Sequence, residues 1–478
     1  MTATDAPTLL WLRRDLRLAD HAGWRAALGA GAPVIAVFIL DPITERTWGA
    51  AALWRLGESL GALARSLEAR GSRLILRRGA PLDALGLLCA ETGARRVVWS
   101  RRYRPASAAR DREVAAGLRA VAIEADTVDG FLLHEPWGVA TAEGQPYRVF
   151  TPFWRAVRGR AVPEPVAAPR DLAPPAAWPA SETLADWRLG RAMRRGAAVV
   201  ARHAVIGEPA AEARLAAFVA QRIAGYAVER DRLDRGATSG LSENLAYGEI
   251  SPRQVWNAAL AAGERDPEAA RGAEGFVRQL AWREFAWHLL HHAPQLETRA
   301  WRPGWDRFPW RGDNADAERW RRGLTGVPLV DAAMRQLYVT GTMHNRARMI
   351  VASFLTKHLL THWTVGAEWF RDCLIDWDPA SNALGWQWVA GSGPDAAPWF
   401  RVFNPEIQAA RFDPDGRYRA RFLAGDGARP TADARAFFDA APRAWNLAPG
   451  AAEPAPVIGL AEGRARALAA WDRFQGKS

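Results

Sequence analysis

Two acids, an amide and two tryptophans share one short segment, and their side chains limit the chemistry it can do. Asp376, Asp378 and Asn382 surround a predicted turn, and Trp386 and Trp388 follow. Two close carboxylates could bind a metal ion or form an acid/base pair. They could equally accept hydrogen bonds from a ring N–H, a ribose hydroxyl or an amine.

A helix predicted over Phe276–Leu290 carries polar groups of another kind. Gln279, Trp282 and Arg283 recur at three- and four-residue spacing, so they share one face of that helix. The face offers hydrogen bonding, stacking and positive charge together. The alternative is a buried amphipathic helix with a solvated arginine.

Hydroxyl groups cluster in the segment Thr238–Ser242. Thr238, Ser239 and Ser242 surround Gly240, which allows close backbone approach. Hydroxyls and free N–H groups ahead of a helix suit a phosphate group. An ordinary helix N-cap followed by a turn is the alternative.

A further helical pattern covers Met343–Leu360, and its first turns carry candidates for a site. Asn345 and Met349 are four residues apart and share a face. Arg346 and Arg348 are candidates for phosphate contacts, with solvated charge as the alternative.

Other signatures of catalysis are absent from the sequence. It has no G-x-x-x-x-G-K-[ST] loop, no G-x-G-x-x-G after the first predicted strand and no G-x-S-x-G. His288, His291 and His292 lack nearby carboxylates at ligand spacing, so we expect no metal site. The two cysteines, Cys89 and Cys373, exclude a disulfide framework and a four-cysteine zinc site.

The elements that must position these residues divide the chain. Short apolar runs alternate with helical patterns in the first 135 residues, which predicts a parallel sheet with flanking helices. The predicted strands are Thr8–Leu12, Val34–Leu40, Arg73–Leu76, Val97–Ser100 and Ala122–Val128. Prolines then interrupt the pattern, and helical periodicity returns after about residue 200. We predict an α/β domain at 1–135, a linker at 136–200 and an all-α domain at 201–478.

The charge of the chain is compatible with nucleic-acid binding. It has 63 basic and 52 acidic residues, and all basic residues except Lys357 and Lys477 are arginines, which suit bidentate phosphate contacts. Genomic base composition is the alternative source of this arginine excess. The N-terminus lacks the pattern of a signal peptide, and no run of about 18 apolar residues occurs. We expect a cytoplasmic protein that does not cross a membrane.

Several ordered motifs resemble one family, the DNA photolyases and cryptochromes. They include TSGLS, WREF, MHNRARM, DWDPASN and GWQWVAGSGPDAAPWFRVFNP, and the firmest lie between Thr238 and Pro405. The wider resemblance, from Thr8 to Phe412, implies an α/β antenna domain, a long linker and a helical FAD-binding domain. It also implies FAD as cofactor and damaged DNA as partner, and we expect a monomer.

The resemblance gives roles to the residues above and adds others. The positions implied to contact FAD are Tyr226, Thr238, Ser239, Gly240, Leu241, Ser242, Arg283, Asn345, Arg348, Asp376, Asp378 and Asn382. The positions implied to contact DNA or the lesion are Arg230, Gln279, Trp282, Asn345, Arg346, Met349, Trp388, Arg401 and Gln408. Gln279, Asn345 and Asn382 are the implied catalytic positions. Asp376 would balance Arg348. Trp386, Trp363 and Trp310 match a chain of electron-hopping tryptophans.

The implied reaction is light-driven repair of cyclobutane pyrimidine dimers, in which reduced FAD lends an electron to a flipped-out dimer. Repair of (6-4) photoproducts uses two histidines four residues apart, and Asn345 and Met349 stand at those positions. We therefore disfavour that reaction. The other alternative is a blue-light photoreceptor without repair, against which we weigh the match at Asn382 and the lack of a long tail beyond the matched region.

Gln279 departs from the family pattern, which usually has glutamate there. A carboxyl group can hydrogen-bond the dimer and help to stabilise its radical anion, whereas an amide cannot share a proton. We therefore expect DNA binding to survive and repair per absorbed photon to fall.

The chain is most similar to a bacterial branch related to plant cryptochromes, which implies methenyltetrahydrofolate as an antenna chromophore. Ala106 and Ser107 replace the Asn-Glu pair that holds folate in better-known relatives. The antenna could therefore bind elsewhere, be a deazaflavin or be absent.

Overall fold

A parallel five-stranded sheet organises the N-terminal part of the chain. The computed structural model describes residues 6–395, 401–423, 430–449 and 454–476. The sheet has the strand order β3-β2-β1-β4-β5. Its strands are β1 (Thr8–Leu12), β2 (Val34–Leu40), β3 (Leu74–Arg78), β4 (Arg96–Ser100) and β5 (Glu124–Val128).

The predicted α/β class is confirmed, and β1 and β2 have their predicted bounds. Both are fully buried apolar runs, the pattern that identifies a central parallel strand best. The other strands differ from prediction by one or two residues, at both ends in β3 and at the start in β4 and β5. Strand β5 starts late because Ala122 has a positive φ of 58° and belongs to the preceding turn.

Helices cover both faces of this sheet. They are α1 (Ala22–Leu28), α2 (Pro42–Thr47), α3 (Ala50–Glu68), α4 (Pro81–Thr92) and α5 (Pro105–Ala120). Leu10 packs on one face with Leu60 of α3, while Trp11 packs on the other face with Leu88 of α4. The alternation of β1 side chains between two cores is the period-two geometry of a strand.

The chain after residue 200 is helical, as predicted, and three short α-helices also lie within the predicted linker. These helices are α6 (Phe150–Val157), α7 (Leu184–Trp187), α8 (Gly196–Val200), α9 (Glu208–Gln221), α10 (Tyr226–Glu229), α11 (Ser242–Tyr247), α12 (Pro252–Arg265), α13 (Pro267–His292), α14 (Ala315–Arg321), α15 (Pro328–Thr340), α16 (Asn345–Ser353), α17 (Trp363–Cys373), α18 (Pro379–Ala390), α19 (Pro405–Phe412), α20 (Arg417–Phe422), α21 (Ala432–Ala440) and α22 (Leu460–Phe474). Helix α6 lies within the predicted linker and packs on α13. In the described residues no helix is both long and apolar enough to cross a membrane.

The helical pattern predicted over Met343–Leu360 contains a change of helix type. Helix α16 passes directly into a π-helical turn, Phe354–His358, which is buried throughout. Such turns are rare and often lie near functional sites. The C-terminal helix α22 packs on this turn, and α17 follows it after a short connection.

Candidate active site

Most of the singled-out residues meet at one cavity in the helical region. Its volume is about 330 Å³, within the range of small-molecule sites. The predicted residues that line it are Tyr226, Ser239, Leu241, Ser242, Gln279, Arg283, Asn345, Arg348, Met349, Asp376, Asp378, Asn382 and Trp386. They come from helices α10, α11, α13, α16 and α18 and from the segments before α11 and α18, so residues far apart in sequence converge here.

Arg348 and Asp376 form an ion pair at the wall of this cavity. Nη2 of Arg348 lies 2.7 Å from Oδ2 of Asp376, and Nε of Arg348 donates to the carbonyl of Met343 at 2.8 Å. The Asp376 side chain is 1% exposed, so the Arg348 guanidinium replaces contacts that water would make with this carboxylate. Its Oδ1 is buried without a partner among the described residues and is available to accept a hydrogen bond.

Asp378 lines the cavity and also accepts two hydrogen bonds from within the protein. Its Oδ1 accepts from the backbone N–H of Ser381 at 2.8 Å and thereby caps α18. Its Oδ2 accepts from Nε1 of Trp287 at 3.0 Å. Capping by Asp378 fixes the start of α18, the helix that carries Asn382 and Trp386 into the cavity.

The segment Thr238–Ser242 is only partly turned toward the cavity. Ser239, Leu241 and Ser242 line it, whereas Thr238 and Gly240 do not. Gly240 has a φ of +69°, and a Cβ at this residue would meet the Arg214 guanidinium at 3.4 Å. The glycine therefore provides a left-handed turn rather than direct access to a ligand.

Two arginines that the sequence reasoning missed hold this segment in place. Arg214 donates to the carbonyl of Gly240 at 2.6 Å, and Arg222 donates to that of Thr238 at 3.2 Å. Arg214 also pairs with Glu243 of α11 at 2.6 Å. These contacts join α9 to a segment more than ten residues later, so no local sequence pattern signals them.

Gln279, Asn345 and Asn382 present amides to the same cavity. Asn382 donates to the carbonyl of Ala367 at 3.1 Å, which leaves its amide oxygen free. Gln279 uses its oxygen to accept from Arg230 at 3.1 Å, which leaves its NH₂ group free. Asn345 is exposed, and its Nδ2 lies 3.9 Å from the sulfur of Met349.

Arg283 is held by the chain itself at the edge of the cavity. It donates to the carbonyl of Phe131 at 3.1 Å and lies over the Phe131 ring at 4.5 Å. It also contacts Glu284 at 3.2 Å. Burial raises the pKa of Glu284 to about 7, and the Arg283 charge opposes that rise.

The remaining predicted DNA contacts lie outside the cavity lining. Trp282 stacks on Phe150 with ring centroids 3.7 Å apart. Arg346 pairs with Asp231 at 2.6 Å, and Arg401 is exposed. Trp388 is half-buried against the helical core, and Gln408 is half-exposed on α19. Their contacts with DNA stay predictions.

Neighbouring residues link the three tryptophans of the predicted electron chain. A Cβ at Gly366 of α17 would meet the Trp386 ring at 2.0 Å, so this glycine lets Trp386 pack directly on the helix that begins at Trp363. His362 contacts both Trp363 and Trp310, with ring centroids 5.6 Å apart in each case. Trp386 and Trp363 are buried, and Trp310 is half-buried.

Two other cavities differ greatly in size. One of about 620 Å³ has an aromatic wall of Tyr338, Trp369 and Trp445, whose rings lie 5.0–6.2 Å apart. The other, of about 50 Å³, lies beside the sheet and is lined by Arg13, Arg14, Arg102, Arg104, Arg110 and Ser107 among others. Burial and the charges of neighbouring arginines lower the pKa of Arg102 to about 9.

That the chain has no metal site stays a prediction, and the surroundings of the histidines are described within residues 6–395, 401–423, 430–449 and 454–476. No group of three or more His, Cys, Asp or Glu side chains there could hold a metal ion. His288 is buried between aromatic rings of Phe153 and Phe285. Burial lowers its pKa to about 4, with His292 adding to the effect.

Comparison with known proteins decides the family. Residues 8–171 match the family model for DNA photolyase, and residues 276–473 match that for the FAD binding domain of DNA photolyase. A deoxyribodipyrimidine photo-lyase of Agrobacterium fabrum is 44% identical over 475 residues, 98% of each chain. The chain belongs to the DNA photolyase family.

Solved and more distant members of this family place the chain within it. The crystal structure of a bacterial class III photolyase from Agrobacterium tumefaciens superposes with a TM-score of 0.90 at 42% identity, covering 100% of this chain and 99% of that one. Cryptochrome-2 of Arabidopsis thaliana is 34% identical over 438 residues, 88% of this chain and 70% of the cryptochrome. Photolyases and cryptochromes are thus both relatives, and the photo-lyase match is the higher.

The chemistry of the 330 Å³ cavity lined by Arg348, Asp376 and Asn382 fits the FAD that photolyase-family domains bind. Oδ1 of Asp376 and the amide oxygen of Asn382 can accept from ring N–H groups, since neither has another partner among the described residues. Arg348 supplies positive charge, and Ser239 and Ser242 supply hydroxyls. This donor and acceptor set matches a large heterocycle with an anionic linker.

Proposed function

We propose that this chain is a deoxyribodipyrimidine photo-lyase that repairs cyclobutane pyrimidine dimers with light and FAD. The observation that carries the proposal is the cavity where Gln279, Asn345 and Met349 stand beside Arg348 and Asp376. We assign the first three to the space that a flipped lesion would enter, and the last two to the space that the flavin would occupy. When bound, FAD supplies light absorption and the transferred electron.

The residues of the chain would bind and orient the two ligands. Asp376, held by its contact with Arg348, would accept from a ring N–H of the flavin. The free amide oxygen of Asn382 would face the flavin from α18. Ser239 and Ser242 would face its phosphates, positioned by the contacts of Arg214 and Arg222.

A small charge network beside the lining residue Gln279 suits DNA. Arg230 lies 3.7 Å from Asp231, and Arg346 lies 2.6 Å from the same carboxylate, so two guanidiniums share one acid. The excess positive charge of this network and the charge of the exposed Arg401 favour contact with the phosphate backbone of DNA. A lesion already unpaired from its partner strand enters the cavity at lower cost than a normal base pair.

The environment of His344 supports dimer repair over (6-4) repair. His344 directly precedes Asn345 in the sequence, and Asn345 and Met349 are the two positions where a histidine pair would stand. Its Nδ1 caps α16 by accepting from Arg346 N at 3.1 Å, and burial lowers its pKa to about 4. It is therefore neutral at physiological pH and is a poor general acid.

The test is a repair assay with two lesions on otherwise identical duplexes. The flavin-loaded, reduced protein should restore cyclobutane dimers under blue light, with none restored in the dark and no (6-4) product repaired. A protein that binds flavin and is photoreduced but repairs neither lesion would be a photoreceptor, the candidate that the Cryptochrome-2 match favours.

We also propose that a folate antenna binds in the aromatic-walled cavity. The 50 Å³ cavity beside the sheet is too small for a pterin, whereas the 620 Å³ cavity has room for one. Trp369 and Trp445 would stack on the pterin, and Nε1 of Trp369 is buried without a partner among the described residues. Arg194 and Arg443 line the same cavity and would meet carboxylates.

The absorption spectrum tests this antenna site. Protein purified with folate should show a band in addition to the flavin bands. The band should disappear in Trp445→Ala while the flavin content stays unchanged, because α17 separates this cavity from the one that holds Asp376. An antenna band that survives Trp445→Ala and Trp369→Ala would place the chromophore elsewhere.

A further inference from the structure

His362 lies between two tryptophans of the predicted electron chain. Its ring centroid is 5.6 Å from that of Trp363 at an interplanar angle of 30°, and 5.6 Å from that of Trp310 at 79°. The backbone N–H of His362 donates to the carbonyl of Arg311 at 2.9 Å, which ties its position to the segment after Trp310. The histidine thus contacts both rings at once.

Three features of this position favour the neutral imidazole. Nδ1 lies 3.3 Å from the backbone N of Thr364 and 2.6 Å from its Oγ1, and it caps α17 by accepting from both groups when this nitrogen is unprotonated. A cation at a helix N-terminus is also disfavoured by the helix dipole. Burial lowers the pKa of His362, with Asp306 opposing the shift.

We propose that His362 is a charge gate of the tryptophan chain, open when its ring is neutral and closed when it is protonated. During photoreduction one electron would pass from Trp386 to the bound flavin, and electrons from Trp363 and then Trp310 would refill the vacancy. An added thiol would finally give an electron to Trp310 and be oxidised itself. Each refilling step leaves a positive charge on an indole that touches His362. A protonated imidazole at that distance repels this charge and slows the transfer.

Other charged groups around His362 affect the design of a test. Arg311 and Asp316 pair at 2.7 Å beside it. Lys357 and His358 lie on the π-helical turn that packs against α17, and burial lowers their pKa values to about 7 and about 4. Because Lys357 also titrates in the neutral range, pH dependence alone does not identify His362.

The proposal rests on the electron chain within the proposed function and is tested by photoreduction rather than by repair. We would measure the rate of flavin photoreduction with an added thiol from pH 8 to pH 5 in the wild type and in His362→Asn. Asparagine is neutral throughout and caps a helix well. The wild-type rate should fall at least about threefold toward pH 5, where a histidine protonates. The His362→Asn rate should equal the wild-type rate at pH 8 and stay nearly constant.

An NMR titration supplies a readout that needs no flavin. The histidine ring signal missing from His362→Asn should titrate below pH 6.5, the ordinary histidine value. An equal fall of photoreduction in both proteins, or no fall in the wild type, would overturn the proposal. Trp363→Phe should be photoreduced far more slowly than wild type at pH 8. If it is photoreduced normally, the gate is disproved, while repair by chemically reduced protein still tests the proposed function by itself.

Discussion

Arg230 donates a hydrogen bond from Nη2 to Oε1 of Gln279 over 3.1 Å. The same guanidinium lies 5.6 Å from the Tyr226 ring centroid. Because the amide oxygen of Gln279 is engaged, its NH₂ group is left to donate to a base in the cavity. A carboxyl group at this position would instead lose its proton more readily, because its carboxylate form would pair with Arg230.

The hydrogen bond from Arg230 to Gln279 affects what the substitution Gln279→Glu should do to repair. The variant should raise repair per absorbed photon, because a protonated carboxyl can share a proton with the dimer. Because the Arg230 charge would lower the pKa of that carboxyl, the gain in repair should grow as the pH falls. The gain should also be larger in the double variant Gln279→Glu/Arg230→Met. Repair is measured at saturating DNA, so that weaker binding by the double variant does not enter. No gain in either protein at any pH would contradict this account of position 279.

The Arg348–Asp376 ion pair should decide flavin retention. Arg348→Leu leaves a buried carboxylate without its partner, which costs about 3 kcal/mol or more in comparable buried pairs. We expect the variant to be purified with little flavin and to unfold at lower denaturant concentration. Asp376→Asn is the matched control, because the amide avoids an unpaired charge, and it should lose flavin affinity with a smaller loss of stability. Equal flavin content in Arg348→Leu and wild type would contradict the assignment.

Gly240→Ala tests the segment proposed to face the phosphates. Gly240 has a φ of +69° and a close neighbour in Arg214, whereas a Cβ at Gly236 would meet nothing within 4 Å. Alanine in a left-handed conformation costs about 1 kcal/mol, which corresponds to about fivefold weaker flavin binding if the segment must keep this shape. Gly236→Ala should bind flavin normally. Isothermal titration of apoprotein with FAD compares them, and equal affinities would remove Gly240 from the site.

How far the sequence could predict the molecule depends on whether a feature is local. Strands β1 and β2 were predicted at their observed bounds because continuous apolar runs identify buried parallel strands. The pairing of Arg348 with Asp376 was anticipated only through the family resemblance. The Arg230–Gln279 contact spans 49 positions in the chain, and nothing in the sequence near either residue signals it. The π-helical turn after α16 was missed for a related reason, since its apolar residues fit ordinary helical periodicity equally well.

Tryptophan substitutions should separate photoreduction from repair. Trp386→Phe removes an easily oxidised ring next to the cavity, so photoreduction should slow by at least about tenfold, or 1.4 kcal/mol in activation free energy. Repair by chemically reduced protein should stay near the wild-type level. Trp256→Phe, which replaces a buried tryptophan that does not line the cavity, is the control. Loss of repair in reduced Trp386→Phe would show that Trp386 has a different role.

Arg401→Gln should weaken DNA binding without changing lesion preference. An exposed arginine that contacts a phosphate contributes about one unit to the slope of log affinity against log salt. The variant should therefore bind damaged and undamaged duplexes more weakly by a similar factor, with a smaller salt slope. Trp388→Ala should instead reduce the preference for the damaged duplex. Titrations at several salt concentrations distinguish the two, and an unchanged salt slope for Arg401→Gln would exclude a phosphate contact.

The proposed function requires that a pyrimidine dimer held against the flavin in this cavity is split when the flavin absorbs light. A single-turnover experiment tests it most directly: one defined cyclobutane thymine dimer in a short duplex, reduced holoprotein in excess, and a blue flash or darkness. Repaired thymines should appear after the flash and in proportion to absorbed light, with none in darkness. Bound dimer that stays intact after repeated flashes, in protein whose flavin is fully reduced, would contradict it.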